Sequence, residues 1–180
     1  MKLPINNRFT TFILAMAVVS VLGCASTATQ EGTGEYVDDT VITTKVKAAI
    51  LGEDSLKSTE INVETFKGIV QLSGFVSSSA DENKAVELAR SVKGVKSVKD
   101  DMRLREGSGQ YIDDTVITSK VKAAILGESS LKSTEINVET FNGIVQLSGF
   151  VTSSANKSKA VELARSVKGV KSVKDDMRIK

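Results

Sequence analysis

The stretch IVQLSGFV, Ile69–Val76, decides the fold of this chain, and it occurs again unchanged at Ile144–Val151. The identity extends well beyond these eight letters. Residues 31–105 align with residues 106–180 at a constant offset of 75, and 63 of those 75 positions are identical. Two units are too few for a solenoid, so each unit is expected to fold alone as a small domain. A unit of about 70 residues lies near the lower limit for a core without disulfides or metals.

The segment before IVQLSGFV has the pattern of a strand that leads into a tight turn. Apolar and polar residues alternate from Ile61 to Phe66, and a two-residue loop follows: Lys67-Gly68 in the first repeat and Asn142-Gly143 in the second. Asn-Gly between alternating runs is a strong hairpin signal. A loop of this length pairs Phe66 with Ile69 and Ile61 with Gly74. The predicted core face then carries Ile61, Val63, Val70, Leu72, Gly74 and Val76.

A glycine within a strand often marks a bulge or the close approach of another backbone. For Gly74 we expect that backbone to be a crossing helix.

Helical periodicity flanks the hairpin on both sides. Asp38 or Asp39 is suited to cap a helix over residues 40–51, which recurs over 115–126. A second helix is predicted to start with a capping box between Ser79 and Glu82, and the box is lost in the second repeat because Lys157 replaces Glu82. An alternating run around Met102 predicts a last strand. Each repeat therefore has the order αββαβ, and its helical crossover makes the last two strands parallel. The predicted class is α+β, with a mixed three-stranded sheet and two helices on one face.

The first residues have the pattern of an export signal. Lys2 and Arg8 supply a positive region, and a mostly apolar stretch of 14 residues, 9–22, follows. Such a stretch is short for a membrane span and typical of a signal peptide. The only cysteine, Cys24, comes next in Val-Leu-Gly-Cys, which resembles a bacterial lipobox. We therefore predict a lipoprotein signal peptide over 1–23, acylation of Cys24, and a flexible tether over 24–35.

Two other interpretations of this region stay open. A lone cysteine is often a buried small hydrophobe, and ordinary signal cleavage after Ala28 would leave a soluble periplasmic protein. Ala25 and Ser26 after the cysteine resemble the pattern of lipoproteins that are sorted to the outer membrane. The predicted location is therefore the periplasmic face of the outer membrane.

Composition excludes several classes of function. Within residues 31–180, 22 basic residues balance 22 acidic ones, which argues against nucleic-acid binding. The chain has no histidine, so it has no histidine-based catalytic triad and no histidine ligands for zinc. We expect no enzyme activity, catalytic residue, metal, cofactor or small-molecule substrate. In the first repeat, residues 36–105 are neutral, with 11 basic and 11 acidic residues, whereas in the second repeat residues 111–180 carry +3, with 11 basic and 8 acidic.

Two surfaces outside the predicted core are candidate binding sites. An apolar strip on the first helix is edged by lysines, which suits a lipid headgroup boundary, although the strip could equally widen the core. Its candidate lipid-binding residues are Lys45, Lys47, Ile112, Val116, Lys120 and Lys122. On the sheet face away from the helices, aromatic side chains need a partner. The other repeat is the nearest candidate and a foreign protein the next, through Phe66, Ile69, Phe75, Phe141, Ile144 and Phe150.

The motifs resemble those of the BON-domain family of osmotically inducible periplasmic proteins and outer-membrane lipoproteins. The resemblance rests on DDTVITTKVKAAIL, VQLSGFV and ARSVKGVKSVKDDMRLR, and on the glycines at 68, 74 and 94 with their counterparts at 143, 149 and 169. We assign one BON domain to 36–105, a linker to 106–110 and a second BON domain to 111–180.

The resemblance implies the αββαβ fold, phospholipid as the partner, and a role in envelope integrity under osmotic or other stress. It offers no catalytic residues to carry over. Members with two BON domains usually have divergent ones, so the near identity here leaves a division of labour open. The alternative function is a periplasmic adaptor or chaperone-like factor that binds an envelope protein through the sheet face.

Overall fold

The structure is a computed structural model that describes residues 33–106 and 111–180, with side chains from Asp38 and Asp113 onward. In the first repeat the order is α1 (Thr33–Leu51), β1 (Ile61–Phe66), β2 (Ile69–Val76), α2 (Ser79–Ser91) and β3 (Ser97–Leu104). In the second repeat the order is α3 (Tyr111–Leu126), β4 (Asn137–Phe141), β5 (Ile144–Val151), α4 (Ser154–Ser166) and β6 (Ser172–Ile179). A short 3₁₀ turn precedes the hairpin in each repeat, at Ser58–Glu60 and Ser133–Glu135.

Each repeat contains its own mixed three-stranded sheet. β2 is the central strand, antiparallel to β1 and parallel to β3. The pairs Phe66–Ile69 and Ile61–Gly74 occur as predicted. β5 has the same two kinds of neighbour in the second sheet. The predicted αββαβ order, the hairpin register and the parallel crossover are confirmed.

The two helices of each repeat cover one face of its sheet and enclose a separate hydrophobic core. In the first repeat Val46 and Ile50 of α1 and Ala85 and Ala89 of α2 are buried in this cluster. The residues of the hairpin that join them there are Ile61, Val63, Val70, Leu72 and Val76. The equivalent residues of the second repeat form a second cluster.

The first helix begins earlier than residue 40. α1 starts at Thr33, inside the segment 24–35 that was expected to be tether. Asp39 consequently lies within the helix, and its carboxylate does not cap the helix. It accepts hydrogen bonds from the backbone N–H groups of Lys67 and Gly68, the latter at 2.8 Å. Both turn residues have positive φ, 51° and 78°, as a type I′ turn requires. Asp39 therefore holds the hairpin turn against α1.

Gly74 is needed for a reason other than the predicted crossing helix. Its φ is +123°, a region that side chains rarely adopt. A Cβ built there would collide with the backbone carbonyl of Glu60, at the end of the 3₁₀ turn. Gly149 has φ +119° and meets Glu135 in the same way. The close backbone approach is confirmed, but the expected crossing helix is wrong.

The second helix is capped one residue earlier than predicted. Ser78, rather than Ser79, is the N-cap, and its Oγ accepts from the N–H of Asp81 at 3.1 Å. Ser153 has the same role in the second repeat, with Asn156 as its donor. The capping box with Glu82 does not form, because Glu82 lies instead beside Asp100 of β3.

Candidate functional sites: the inter-repeat face and the helix-one lysines

The sheet faces that the helices leave uncovered pack against each other. Phe66 of β1 contacts Phe150 of β5, with ring centroids 5.5 Å apart, and Phe75 of β2 contacts Phe141 of β4 at 5.6 Å. Phe66, Phe75 and Phe150 are 6–7% exposed. Tilted aromatic pairs at this spacing are favourable beyond the area that they bury. The two repeats are thus joined by aromatic contacts at both ends of the face.

Two buried glutamines occupy the middle of this face. The N–H of Gly149 donates to Oε1 of Gln71 at 2.8 Å, and the N–H of Gly74 donates to Oε1 of Gln146 at 2.9 Å. Nε2 of Gln71 donates to the Asp176 carbonyl and to Oδ2 of Asp101. Gln146 makes the matching bonds to the Asp101 carbonyl and the Asp176 carboxylate. Each amide therefore has both an accepting and a donating role within the protein.

Charged pairs flank the glutamines. Nη2 of Arg103 lies 2.9 and 2.8 Å from the two carboxylate oxygens of Asp176. Nη2 of Arg178 reaches those of Asp101 at 3.0 and 2.8 Å. The two carboxylates are only 14% and 15% exposed. Hydrogen bonds between charged groups are stronger than neutral ones, so these pairs reinforce the contact.

This packing decides what the sheet face can bind. Ile69 and Ile144 are half-buried beside the aromatic rings. Of the six residues that were predicted to need a partner, the four phenylalanines contact the other repeat. The aromatic part of the sheet face, on which the adaptor alternative depended, is covered within the chain by the other repeat.

The structure separates the predicted lipid-binding residues into two groups. Lys45 borders a cavity of about 400 Å³ beside the hairpin turn, with Val41 on its rim. Lys120 and Val116 border the equivalent cavity, of about 350 Å³, in the second repeat. Lys47 and Lys122 instead border cavities between the first helix of each repeat and its 3₁₀ turn. The side chain of Ile112 lies outside the described residues.

Sequence reasoning missed the other lysines of the cavity beside the turn. Lys67 of the turn and Lys93 and Lys96 of the α2–β3 loop join Lys45 there. In the second repeat Lys168 and Lys171 join Lys120, while Asn142 replaces Lys67. The available signal is the repeated VKGVKS, whose two lysines follow the second helix of each repeat. Only the tertiary fold brings that loop next to the first helix.

The apolar residues beside these lysines are exposed. Val41 is 43% exposed and Val116 is 46% exposed. The part of the strip that the structure describes therefore does not widen the core. An exposed valine beside a group of lysines has the chemistry of a headgroup-level contact.

The repeats differ electrostatically at one partly buried position. In the first repeat, loss of hydration and then the neighbouring Asp100 carboxylate raise the pKa of Glu82. In the second repeat Nζ of Lys157 lies 3.3 Å from a carboxylate oxygen of Asp175. A like-charge contact in one repeat is thus an ion pair in the other.

Elsewhere, hydrogen bonds from Ser55 lower the pKa of Glu53, and hydrogen bonds from Ser130 lower the pKa of Glu128.

Within 33–106 and 111–180, cysteine, aspartate and glutamate do not gather into a group of three that could hold a metal ion. Among those same residues no helix has the length and apolar character to cross a bilayer. Cys24 and the predicted signal peptide lie outside the described residues.

Comparison with known proteins identifies the fold. A family model described as "BON domain" matches residues 38–106 and again 113–180. The chain belongs to the BON-domain family. This agrees with the two αββαβ units and with the resemblance drawn from the sequence motifs.

Three relatives of this BON-domain chain show its range of similarity. It is 46% identical over 151 residues to osmotically-inducible protein Y of Escherichia coli, covering 82% of this chain and 75% of that protein. It is 36% identical over 143 residues to a 21 kDa hemolysin of Actinobacillus pleuropneumoniae, covering 78% and 73%. It is 29% identical over 171 residues to the outer membrane lipoprotein DolP of Haemophilus influenzae, covering 91% and 88%.

Proposed function

We propose that this protein is a non-enzymatic lipoprotein of the bacterial envelope that binds phospholipid surfaces and supports envelope integrity under osmotic stress. The names of two relatives, an osmotically inducible protein and an outer membrane lipoprotein, support the setting. Acylation of Cys24 would place it on the periplasmic face of the outer membrane.

The observation that carries the lipid-binding proposal is the group of lysines beside the hairpin turn. Lys45, Lys67, Lys93 and Lys96 line one cavity, next to the exposed Val41. The second repeat presents Lys120, Lys168 and Lys171 beside Val116. Anionic headgroups attract each nearby lysine by about 1 kcal/mol, and salt screens that attraction.

Carboxylates reduce the net positive charge of each lysine group. Asp38 and Asp39 line the first cavity, and Asp113 and Asp114 line the second. Asp39 and Asp114 are occupied by the turn N–H groups. The lysines outnumber the acids four to two in the first cavity and three to two in the second. Whole-repeat charge favours the second repeat for anionic lipid, whereas this local count favours the first.

Vesicle co-sedimentation of the intact chain tests the proposal. We expect binding to vesicles with phosphatidylglycerol, less binding to pure phosphatidylcholine, and loss of binding as salt rises. Lys120→Glu should weaken binding by at least about fivefold, the equivalent of about 1 kcal/mol per charge. Lys122→Glu is the matched control, because Lys122 lies two positions away and outside the lysine group.

The paired variants Lys67→Asn and Asn142→Lys decide between the repeats. If the first cavity dominates, Lys67→Asn weakens binding, because it removes a lysine from that cavity. Asn142→Lys adds a lysine to the second cavity and strengthens binding only through that cavity. Equal losses for Lys120→Glu and Lys122→Glu, or no binding to anionic vesicles at low salt, would contradict the proposed site.

A further inference from the structure

The contacts between the two repeats are related by an approximate twofold exchange. In the aromatic, glutamine and arginine contacts, a residue i of the first repeat contacts a residue j of the second. The equivalent residues, i + 75 in the second repeat and j − 75 in the first, contact each other in the same way. Gln71 with Gly149 corresponds to Gln146 with Gly74. On the axis, the hydroxyls of Ser73 and Ser148, equivalent residues of the two repeats, lie 2.7 Å apart. A contact of this kind is isologous: both surfaces use the same patch.

The sequences on the two sides of this contact are the same. The phenylalanine, glutamine, serine, glycine, aspartate and arginine residues described above are identical in both repeats. At the rim, Arg105 lies over the ring of Phe141, and Lys180, its counterpart, lies over the ring of Phe66. That exchange keeps the positive charge. Apart from this exchange of Arg105 for Lys180, the contact residues named here have the same identity in the first repeat and in the second.

One hydrogen bond breaks the symmetry without changing this conclusion. Nδ2 of Asn137 donates to Glu64 at 2.9 Å, whereas Nδ2 of Asn62, its counterpart, is buried without a partner. Both the asparagine and the glutamate occur in each repeat, with Glu139 as the counterpart of Glu64. Two first repeats could form this bond as well as the present pair does.

We propose that this face also joins separate copies of the chain, by pairing a first repeat with the first repeat of a second copy. In that pair Phe66 meets Phe75 of the other copy, Arg103 meets Asp101, and the two Ser73 hydroxyls meet on the axis. The partner is a second copy of this chain, and the surface is the sheet face that is covered within one chain. The proposal does not depend on lipid binding.

The covalent linker between the repeats favours pairing within one chain, whereas the residues of the contact do not favour it. β3 ends at Leu104 and α3 begins at Tyr111, so six residues join the repeats. A short linker gives an effective concentration on the order of millimolar. Pairing between copies should therefore increase when the protein concentration during folding approaches this effective concentration, and it should be rare in dilute solution.

Disulfide trapping on the axis tests this directly. Residues 25–180 include everything that the structure describes and lack the single cysteine. In this chain Ser73→Cys can form a disulfide only with a second copy. Ser73→Cys together with Ser148→Cys can form one within the chain. Ser91→Cys, on the exposed surface of α2, measures disulfides that form by random collision.

The chains are unfolded in urea, refolded at about 1 µM and at about 1 mM, and then oxidised. We expect the double variant to close an intrachain disulfide at the low concentration. At the high concentration the Ser73→Cys chain should give several-fold more covalent dimer than the Ser91→Cys control. At the low concentration the two chains should give the same amount of covalent dimer. Dimer no greater than the control at both concentrations would overturn the proposal. A double variant that folds but leaves both thiols free would also overturn it, because the axis would then be misplaced.

Discussion

Glu82 should be a source of instability that one substitution removes. Its carboxyl lies in the first turn of α2 beside Asp100 of β3, and its pKa is raised by partial burial and by that neighbour. The second repeat shows the remedy, since Lys157 there pairs with Asp175 at 3.3 Å. We therefore predict that Glu82→Lys stabilises the protein at pH 7.

The magnitude follows from the exposure of the equivalent pair. Lys157 and Asp175 are 26% and 32% exposed, so water screens their attraction. Ion pairs of this kind contribute about 0.2–1 kcal/mol. The substitution also removes a like-charge contact of comparable size. We expect a total gain of about 1 kcal/mol, which raises the melting temperature by about 2–4 °C if both repeats unfold as one unit.

The gain should depend on pH in a defined direction. Because the folded-state pKa of Glu82 is raised above the ordinary value of 4.5, the folded protein binds a proton more readily than the unfolded chain. The stability that this contributes is fully present below pH 4.5 and is lost as the pH rises through the folded-state pKa. Glu82→Gln, which resembles the protonated acid, should therefore be stabilising at about pH 7 and nearly neutral at about pH 4.

Urea unfolding followed by circular dichroism measures these differences at both pH values. The mirror variant Lys157→Glu is the internal control, because it recreates the acidic pair in the second repeat and should cost about as much as Glu82→Lys gains. The reasoning is refuted if Glu82→Lys leaves the urea midpoint at pH 7 unchanged while Lys157→Glu also has no effect.

Three further predictions concern the anchor, the glycine and the inter-repeat contact. Cys24→Ala should move the protein from the membrane fraction to the soluble periplasm or leave uncleaved precursor, and the absence of acyl mass on wild-type Cys24 would contradict the lipoprotein assignment. Gly74→Val, or equally Gly149→Val, should destabilise the protein by about 2 kcal/mol or more in urea unfolding, because of its positive φ and the nearby carbonyl. Arg103→Ala should cost about 1–3 kcal/mol in the same assay, since Asp176 loses both of its charged hydrogen bonds, and an unchanged midpoint would show that the contact does not stabilise the fold.

The order and register of the elements could be predicted because local signals determine them. The two-residue turn and the alternating runs fix the hairpin, and the central strand requires a helical crossover to its parallel neighbour. The roles of single polar residues could not be predicted in this way. Asp39 follows the rule for a helix cap, yet its carboxylate bonds to a turn 28 residues away. The choice between these roles depends on where the helix starts.

The lysine group beside the turn shows a second limit of sequence reasoning. The sequence pattern of the first helix does not distinguish Lys45 from Lys47 as a candidate. Of these two lysines, the fold places only Lys45 next to Lys93 and Lys96. That neighbourhood depends on how the α2–β3 loop packs beside α1. Patterns within one element do not contain this information.

The inter-repeat contact is polar at its centre, and this determines what it can and cannot specify. A shift of one residue between the two sheets would separate Gln71 and Gln146 from the N–H groups of Gly149 and Gly74. Each buried polar group left without a partner costs about 1–3 kcal/mol, so misaligned packing is disfavoured. The same bonds form for any two surfaces that carry this sequence. The contact therefore fixes the alignment of two repeats but not the chain to which they belong, and the linker makes that choice.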